Sequence, residues 1–210
     1  FGILSLAWVI LGYFSIFDLG LSRATTKYVS ESVGQNDTES VPGIVWTVAG
    51  IQLIMGVAGA VICVVLTPVL IERFFKIPGP LIAEAKITFY IIAVSLPVVL
   101  LSISLRGVLE ASQRFDLVNW IKIPANSLVF LIPAVAVPFG MRLPGIVLLL
   151  IITRVISVIA YLFFCFRVFP SLKKNIAFKP DALKKIMGFG AWVTVSSVIA
   201  PVLNYVERFF

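Results

Sequence analysis

Long apolar runs without charges constrain this chain more than any other feature. Uncharged stretches cover 40–71, 87–105, 123–141 and 186–206, with 1–17 preceding Asp18 and 143–166 interrupted only by Arg154. A helix needs about 20 apolar residues to cross about 30 Å of hydrocarbon at about 1.5 Å per residue. The runs therefore predict six membrane spans, the first and last of them truncated. Strands of a membrane barrel would be about 10 residues long and alternate in polarity. These runs are longer and do not alternate, so the fold class is all-α, a polytopic transmembrane helix bundle. Composition agrees: 60% of residues are hydrophobic and 13% charged, against about 45–50% and about 25% in soluble domains.

The connections are short, which makes successive helices antiparallel neighbours. Pro78, Gly79 and Pro80, and then Pro138, Gly140, Pro144 and Gly145, supply turn chemistry. Arg23, Lys27 and Glu31 repeat every four positions. The first helix is therefore expected to continue past the membrane core, with a polar stripe, as far as Gly34. Connections 18–40, 106–122 and 167–185 hold 11 Lys and Arg, the alternate ones 4. The positive-inside rule places the first set in the cytoplasm, giving a multi-pass protein of the plasma membrane. The basic segment 167–185 is expected to lie along the anionic inner leaflet. Direct capture of an anionic substrate is its alternative role. The chain opens and closes inside apolar runs, as expected of a piece of a longer protein.

Several function classes drop out. The net charge of +7 fits cytoplasmic loops, and no basic stretch outside a span is interleaved with aromatics, so no nucleic-acid partner is expected. The chain has no His, which removes the usual catalytic triads and the commonest metal ligand. No Gly-rich phosphate loop precedes a Lys, which argues against ATP hydrolysis. Cys63 and Cys165 lie within apolar runs and read as small core residues. No catalytic residue, metal or cofactor is expected; the pattern favours moving a substrate over converting one.

Polar residues within the spans are the candidate site. A charge in hydrocarbon is costly and faces a partner or a wet cavity. Arg154 lies near the middle of its span, with Thr153, Ser157 and Tyr161 on or beside its face. It reads either as a cationic site for phosphate or sulfate, or as half of a buried ion pair joining two helices. Thr194, Ser197, Pro201, Asn204 and Arg208 share a stripe at spacings of 3, 4, 3 and 4. Pro201 would bend that helix, and bent helices line substrate sites in transporters. Small hydroxyl residues equally serve close packing. A stripe of Thr88, Ser95, Ser102 and Arg106, and the small residues Gly56, Gly59 and Ala60, read as packing features.

YFSIFDLGLSRATTKYVSE at 13–31, LRGVLEASQRFDLVNW at 105–120 and FGAWVTVSSVIAPVLNYVERFF at 189–210 resemble segments of the polysaccharide biosynthesis or oligosaccharide flippase family (Wzx-like). That family belongs to the multidrug/oligosaccharidyl-lipid/polysaccharide exporter superfamily. The resemblance implies a fragment of a 12–14-span transporter built from two related halves. Residues 1–185 would supply most of the first half without its first helix, together with a cytoplasmic linker. Residues 186–210 would open the second half.

The resemblance also implies the activity: flipping a polyprenyl-diphosphate-linked oligosaccharide by alternating access, without enzymatic chemistry. Implied partners are that lipid-linked oligosaccharide, membrane lipids and other glycan-assembly membrane proteins. Arg23, Lys27, Arg154 and Arg208 are the candidates for the diphosphate, because Arg suits bidentate phosphate contact. Thr194, Ser197 and Asn204 are candidates for the sugar, and Asp18 and Glu207 for ion coupling or pairing. A cation-coupled multidrug or metabolite exporter of the same fold competes with this function. So do a membrane-embedded glycan polymerase or ligase, which would want a large outer loop, and a passive scaffold.

Overall fold

Apolar runs coil into helices because a backbone N–H or C=O left unpaired in hydrocarbon is expensive, and a helix pairs these groups within one segment. The computed structural model describes residues 18, 20–71, 79–174, 176, 178 and 180–206, with 80, 174, 180–182 and 197–206 described as backbone alone. The elements are α1 (Leu21–Gly34), α2 (Val41–Val69), the 3₁₀ turn η1 (Gly79–Leu81), α3 (Ile82–Ala111), α4 (Phe115–Ala136), α5 (Leu143–Val168), the short α6 (Ser171–Lys174) and α7 (Pro180–Val206). Among the described residues four helices, α2 to α5, are long and apolar enough to cross a membrane. The chain is thus a multi-pass helical bundle. The first expected span, 1–17, lies outside the described residues; the last, 186–206, falls in α7, which is not one of those four.

Three expectations about boundaries need correction. The helix ending at Gly34 begins at Leu21 and does not run on unbroken, because Gly20 takes a left-handed conformation at φ 69°. A side chain there would also collide, since a Cβ on Gly20 would sit 2.6 Å from the Gly190 carbonyl oxygen of α7. The expected connection 106–122 shrinks to the turn 112–114, because α3 runs to Ala111 and α4 begins at Phe115. Arg106 and Lys122 therefore stand inside helices. Finally, α4 ends at Ala136, short of the uncharged run's end at 141, and the turn expected from Pro138 and Gly140 follows it, with Gly140 at φ 72°.

The central helix is α3, against which α1, α2, α4 and α5 all pack. Its crossing with α2 uses the small residues expected there: a Cβ on Gly56 would lie 2.5 Å from Pro97 Cα. On its other face Gly107 admits α1, and Thr26 Oγ1 donates to the Gly107 carbonyl at 3.2 Å. The largest core cluster, including Val29, Val41, Leu105, Leu109, Ile121 and Cys165, closes the end of the bundle that carries the 112–114 turn. At the opposite end Arg142 Nε lies 3.5 Å from Glu84 Oε1, joining the start of α5 to that of α3. Cys165 is buried and Cys63 half-buried; both are free thiols in the apolar packing.

Candidate functional site

Five residues short of its end, α3 places Arg106 on the face that α4 and α5 share. There a cavity of about 230 Å³ opens between the three helices. Arg106 and Ser102 come from α3, Lys122 and Asn126 from α4, and Thr153, Arg154, Ser157 and Tyr161 from α5. The residues flanking Arg154 in the sequence thus share one chamber with it. Tyr161 is buried and belongs to the core cluster.

The electrostatics are one-sided. Among the described residues three cations line the cavity and no carboxylate does. Arg106 is partly balanced from outside, with Nε 3.1 Å from Glu110 Oε1. That contact is coulombic and undirected, because the buried Nε–H makes no hydrogen bond among the described residues. Ion pairs among the described residues include Arg106–Glu110, Arg114–Asp116 and Arg142–Glu84, and no described carboxylate pairs with Arg154. Among the described residues it shares the cavity with Arg106 and Lys122. By the rise of a helix, Arg154 is about 21 Å from the end of α5 at Val168 and about 16 Å from its start. A guanidinium at that depth requires water or an anion.

Lys122 and Asn126 are site residues that reading charges as span limits passes over. Their signal is present: Asn119, Lys122 and Asn126 lie at spacings of 3 and 4, and all are exposed on one face of α4. The stripe on α3 divides by depth. Thr88 donates to the Glu84 carbonyl at 2.8 Å and Ser95 to that of Ile92 at 2.6 Å, both as packing residues. Ser102 and Arg106 face the cavity.

Asp18 forms a second polar cluster. It is buried, accepting from Gln52 Nε2 at 2.7 Å and from Ser22 Oγ at 2.6 Å. The Ser22 backbone N–H also donates to it at 3.2 Å, so the carboxylate caps α1 after the break at Gly20. Gln52 is fully buried, and its Oε1 meets no donor among the described residues.

The remaining candidates are not brought to the cavity. Arg23 and Lys27 are exposed on α1. Lys27 Nζ stands 4.3 Å above the Phe189 ring of α7, while Tyr28 donates from its hydroxyl to the Lys185 carbonyl at 3.2 Å. Thr194 follows Val193, which abuts Gly20, and turns its hydroxyl onto its own helix at the Gly190 carbonyl, 2.9 Å away. Lys27 and Thr194 thus stand at the α1–α7 seam. Ser197 and Asn204 are described as backbone of α7, and Glu207 and Arg208 lie outside the described residues.

Residues 1–210 match the family model described as polysaccharide biosynthesis protein. A protein of Shigella flexneri with the provisional name O-antigen transporter is 27% identical over 210 residues, the match covering 100% of this chain and 49% of that protein. A crystal structure of a MATE mutant matches with a TM-score of 0.75 at 14% identity, over 97% of this chain and 47% of that one. That second likeness is one of fold. The chain spans about half the length of both proteins.

Proposed function

The chain belongs to the polysaccharide biosynthesis protein family, and on that premise we propose that this protein exports a polyprenyl-diphosphate-linked oligosaccharide across the cytoplasmic membrane, acting as a transporter and not as an enzyme. The observation that carries the proposal is the cavity in which Arg154, Arg106 and Lys122 converge without a lining carboxylate. A diphosphate is the group that such a chamber suits, since Arg offers paired donors to phosphate oxygens and Lys a compact charge. Asn126, Ser102 and Ser157 add neutral hydrogen-bonding groups, as a hydroxylated glycan requires. The relative from Shigella flexneri, named for O-antigen transport, supports the same substrate class.

Residues 1–185 belong to one half of an alternating-access transporter and 186–210 open the other. Lys27 and Gly20 contact α7 at Phe189 and Gly190, and Arg23, Thr194, Ser197, Asn204 and Arg208 would meet the substrate in a second position. The 112–114 turn faces the cytoplasm, in keeping with the excess of Lys and Arg on its side. Asp18 gives a second reading some support, because a buried carboxylate is what a cation-coupled exporter of small molecules would use to hold its ion.

Depleting the full-length protein in its own cell and assaying lipid-linked oligosaccharide in each leaflet tests the proposal. Accumulation in the cytoplasmic leaflet is expected, rescued by the wild type but not by Arg154→Ala. An unchanged leaflet distribution, in a strain without a redundant flippase, would sink oligosaccharide export and favour the small-molecule exporter.

A further inference from the structure

On the far side of the α4–α5 seam from the cationic cavity lies a second hollow, about 370 Å³, open to the outside of the bundle. Its walls include Trp120, Pro124 and Leu128 of α4 with Ile156 and Ala160 of α5, so it is apolar where the cavity is charged. The two spaces are not separated by bulk. Ala125, Thr153 and Ser157 line both. The Thr153 hydroxyl is turned onto the Leu149 carbonyl at 3.1 Å and that of Ser157 onto the Thr153 carbonyl at 2.8 Å. Each hydroxyl thus donates within α5 and keeps only acceptor capacity, and what stands between groove and cavity is a low ridge of small side chains. Pro124, at the seam, lacks the N–H that would bond back into α4 and leaves the helix easier to bend there.

The depths also match. Counted by helix rise, Arg106 and Lys122 stand about 8 Å and about 10 Å from the 112–114 turn, and Arg154 about 21 Å from the end of α5 at Val168. The cations form a ladder from one membrane face towards the middle, and the groove runs beside it over α4 residues 120–128. Trp120 is exposed at the groove's near end, where an aromatic suits the boundary between headgroups and hydrocarbon.

We infer that the α4–α5 seam is a split site for a phosphate-bearing amphiphile, its anionic head in the Arg106–Lys122–Arg154 cavity and its hydrocarbon chain in the Trp120–Pro124–Ile156–Ala160 groove. The inference rests on the proposal that the cavity holds a phosphate group, and adds where the chain lies and how the ligand enters. Entry is sideways from the bilayer across the Ala125–Thr153–Ser157 ridge, so the chain never leaves an apolar surrounding while the head climbs the cations. An annular lipid resting on the same groove would share the chain contacts but not the dependence on the cations.

The test uses the full-length protein in phosphatidylcholine nanodiscs with a prenyl diphosphate carrying a photoreactive diazirine on its chain. Cross-links are mapped by mass spectrometry, and inorganic pyrophosphate binding is measured in parallel. Cross-links are expected in 120–128 and 153–160, competed away by excess pyrophosphate and reduced at least about tenfold by Arg154→Ala. Ala160→Phe or Leu128→Trp, which fill the groove, should cut the cross-link yield about tenfold while pyrophosphate binding holds within about twofold. Groove cross-links insensitive to pyrophosphate and to Arg154→Ala would identify an annular lipid and overturn the inference. Pyrophosphate-sensitive cross-links that map elsewhere would overturn it while leaving the anion cavity standing. Absence of any Arg154-dependent pyrophosphate binding would remove both.

Discussion

Two glycines six residues apart on α2 allow the packing of α2 on α3 to be tested by one substitution made twice. A Cβ built on Gly50 meets nothing within 4 Å, whereas one on Gly56 falls 2.5 Å from Pro97 Cα and 2.9 Å from Pro97 N. Carbon atoms sit comfortably at about 3.5–4.0 Å, so Gly56→Ala forces the helices apart by about 1 Å. The obstacle is backbone, which cannot rotate out of the way. Both substitutions gain about 0.5–1 kcal/mol from helix propensity, and the difference between them isolates the collision. Overpacking of this kind costs about 1–3 kcal/mol. At about 2–4 °C per kcal/mol, Gly56→Ala should melt at least about 2 °C below Gly50→Ala. The assay is thermal unfolding of the full-length protein in detergent, followed by fluorescence-detected size exclusion. A Gly56→Ala midpoint equal to or above that of Gly50→Ala would refute the close crossing.

Two further outcomes are expected. Asp18→Ala removes the acceptor for Gln52 Nε2 and leaves a buried amide unpaired at both ends, costing about 1–3 kcal/mol; adding Gln52→Leu should restore much of that loss in the same melting assay, and no recovery would mean that the carboxylate acts through other partners. In a cysteine-free background, Asn126→Cys on the cavity wall should react with a small hydrophilic maleimide in intact vesicles, while Val94→Cys on the exposed apolar side of α3 should not. Equal reactivity would show that the cavity is no wetter than the lipid-facing surface.

Residue by residue, the readable and unreadable parts divide along physical lines. The spans of α2 to α5 followed from run length alone, because hydrocarbon thickness sets a minimum number of apolar residues and leaves a helix as the way to pair their backbone groups. Arg154 stood out for the same reason, as a charge placed where charges are costly. Gly56 was legible as a small residue in a span, though its partner, Pro97, was not. Arg106 and Lys122 were misjudged as span limits, since that rule assumes every charge lies beyond the hydrocarbon. Both helices continue past them because a polar cavity receives the side chains. The cavity is made by three helices, and no spacing within one helix reports on the other two.

The break at Gly20 is of the same kind. The sequence supplies a residue able to take φ 69°, but the Gly190 carbonyl at 2.6 Å from a would-be Cβ shows why that conformation has to be kept free of a side chain. Lys27 and Arg154 looked alike as candidate cations until packing sent the first to the α1–α7 seam and the second to the α3–α4–α5 cavity. Local composition and run length thus determined that the chain is a helical membrane bundle with a cation inside a span. Which cations share a chamber, and which apolar groove adjoins it, only the packing of helices distant in sequence decided, because each wall of that chamber comes from a different span.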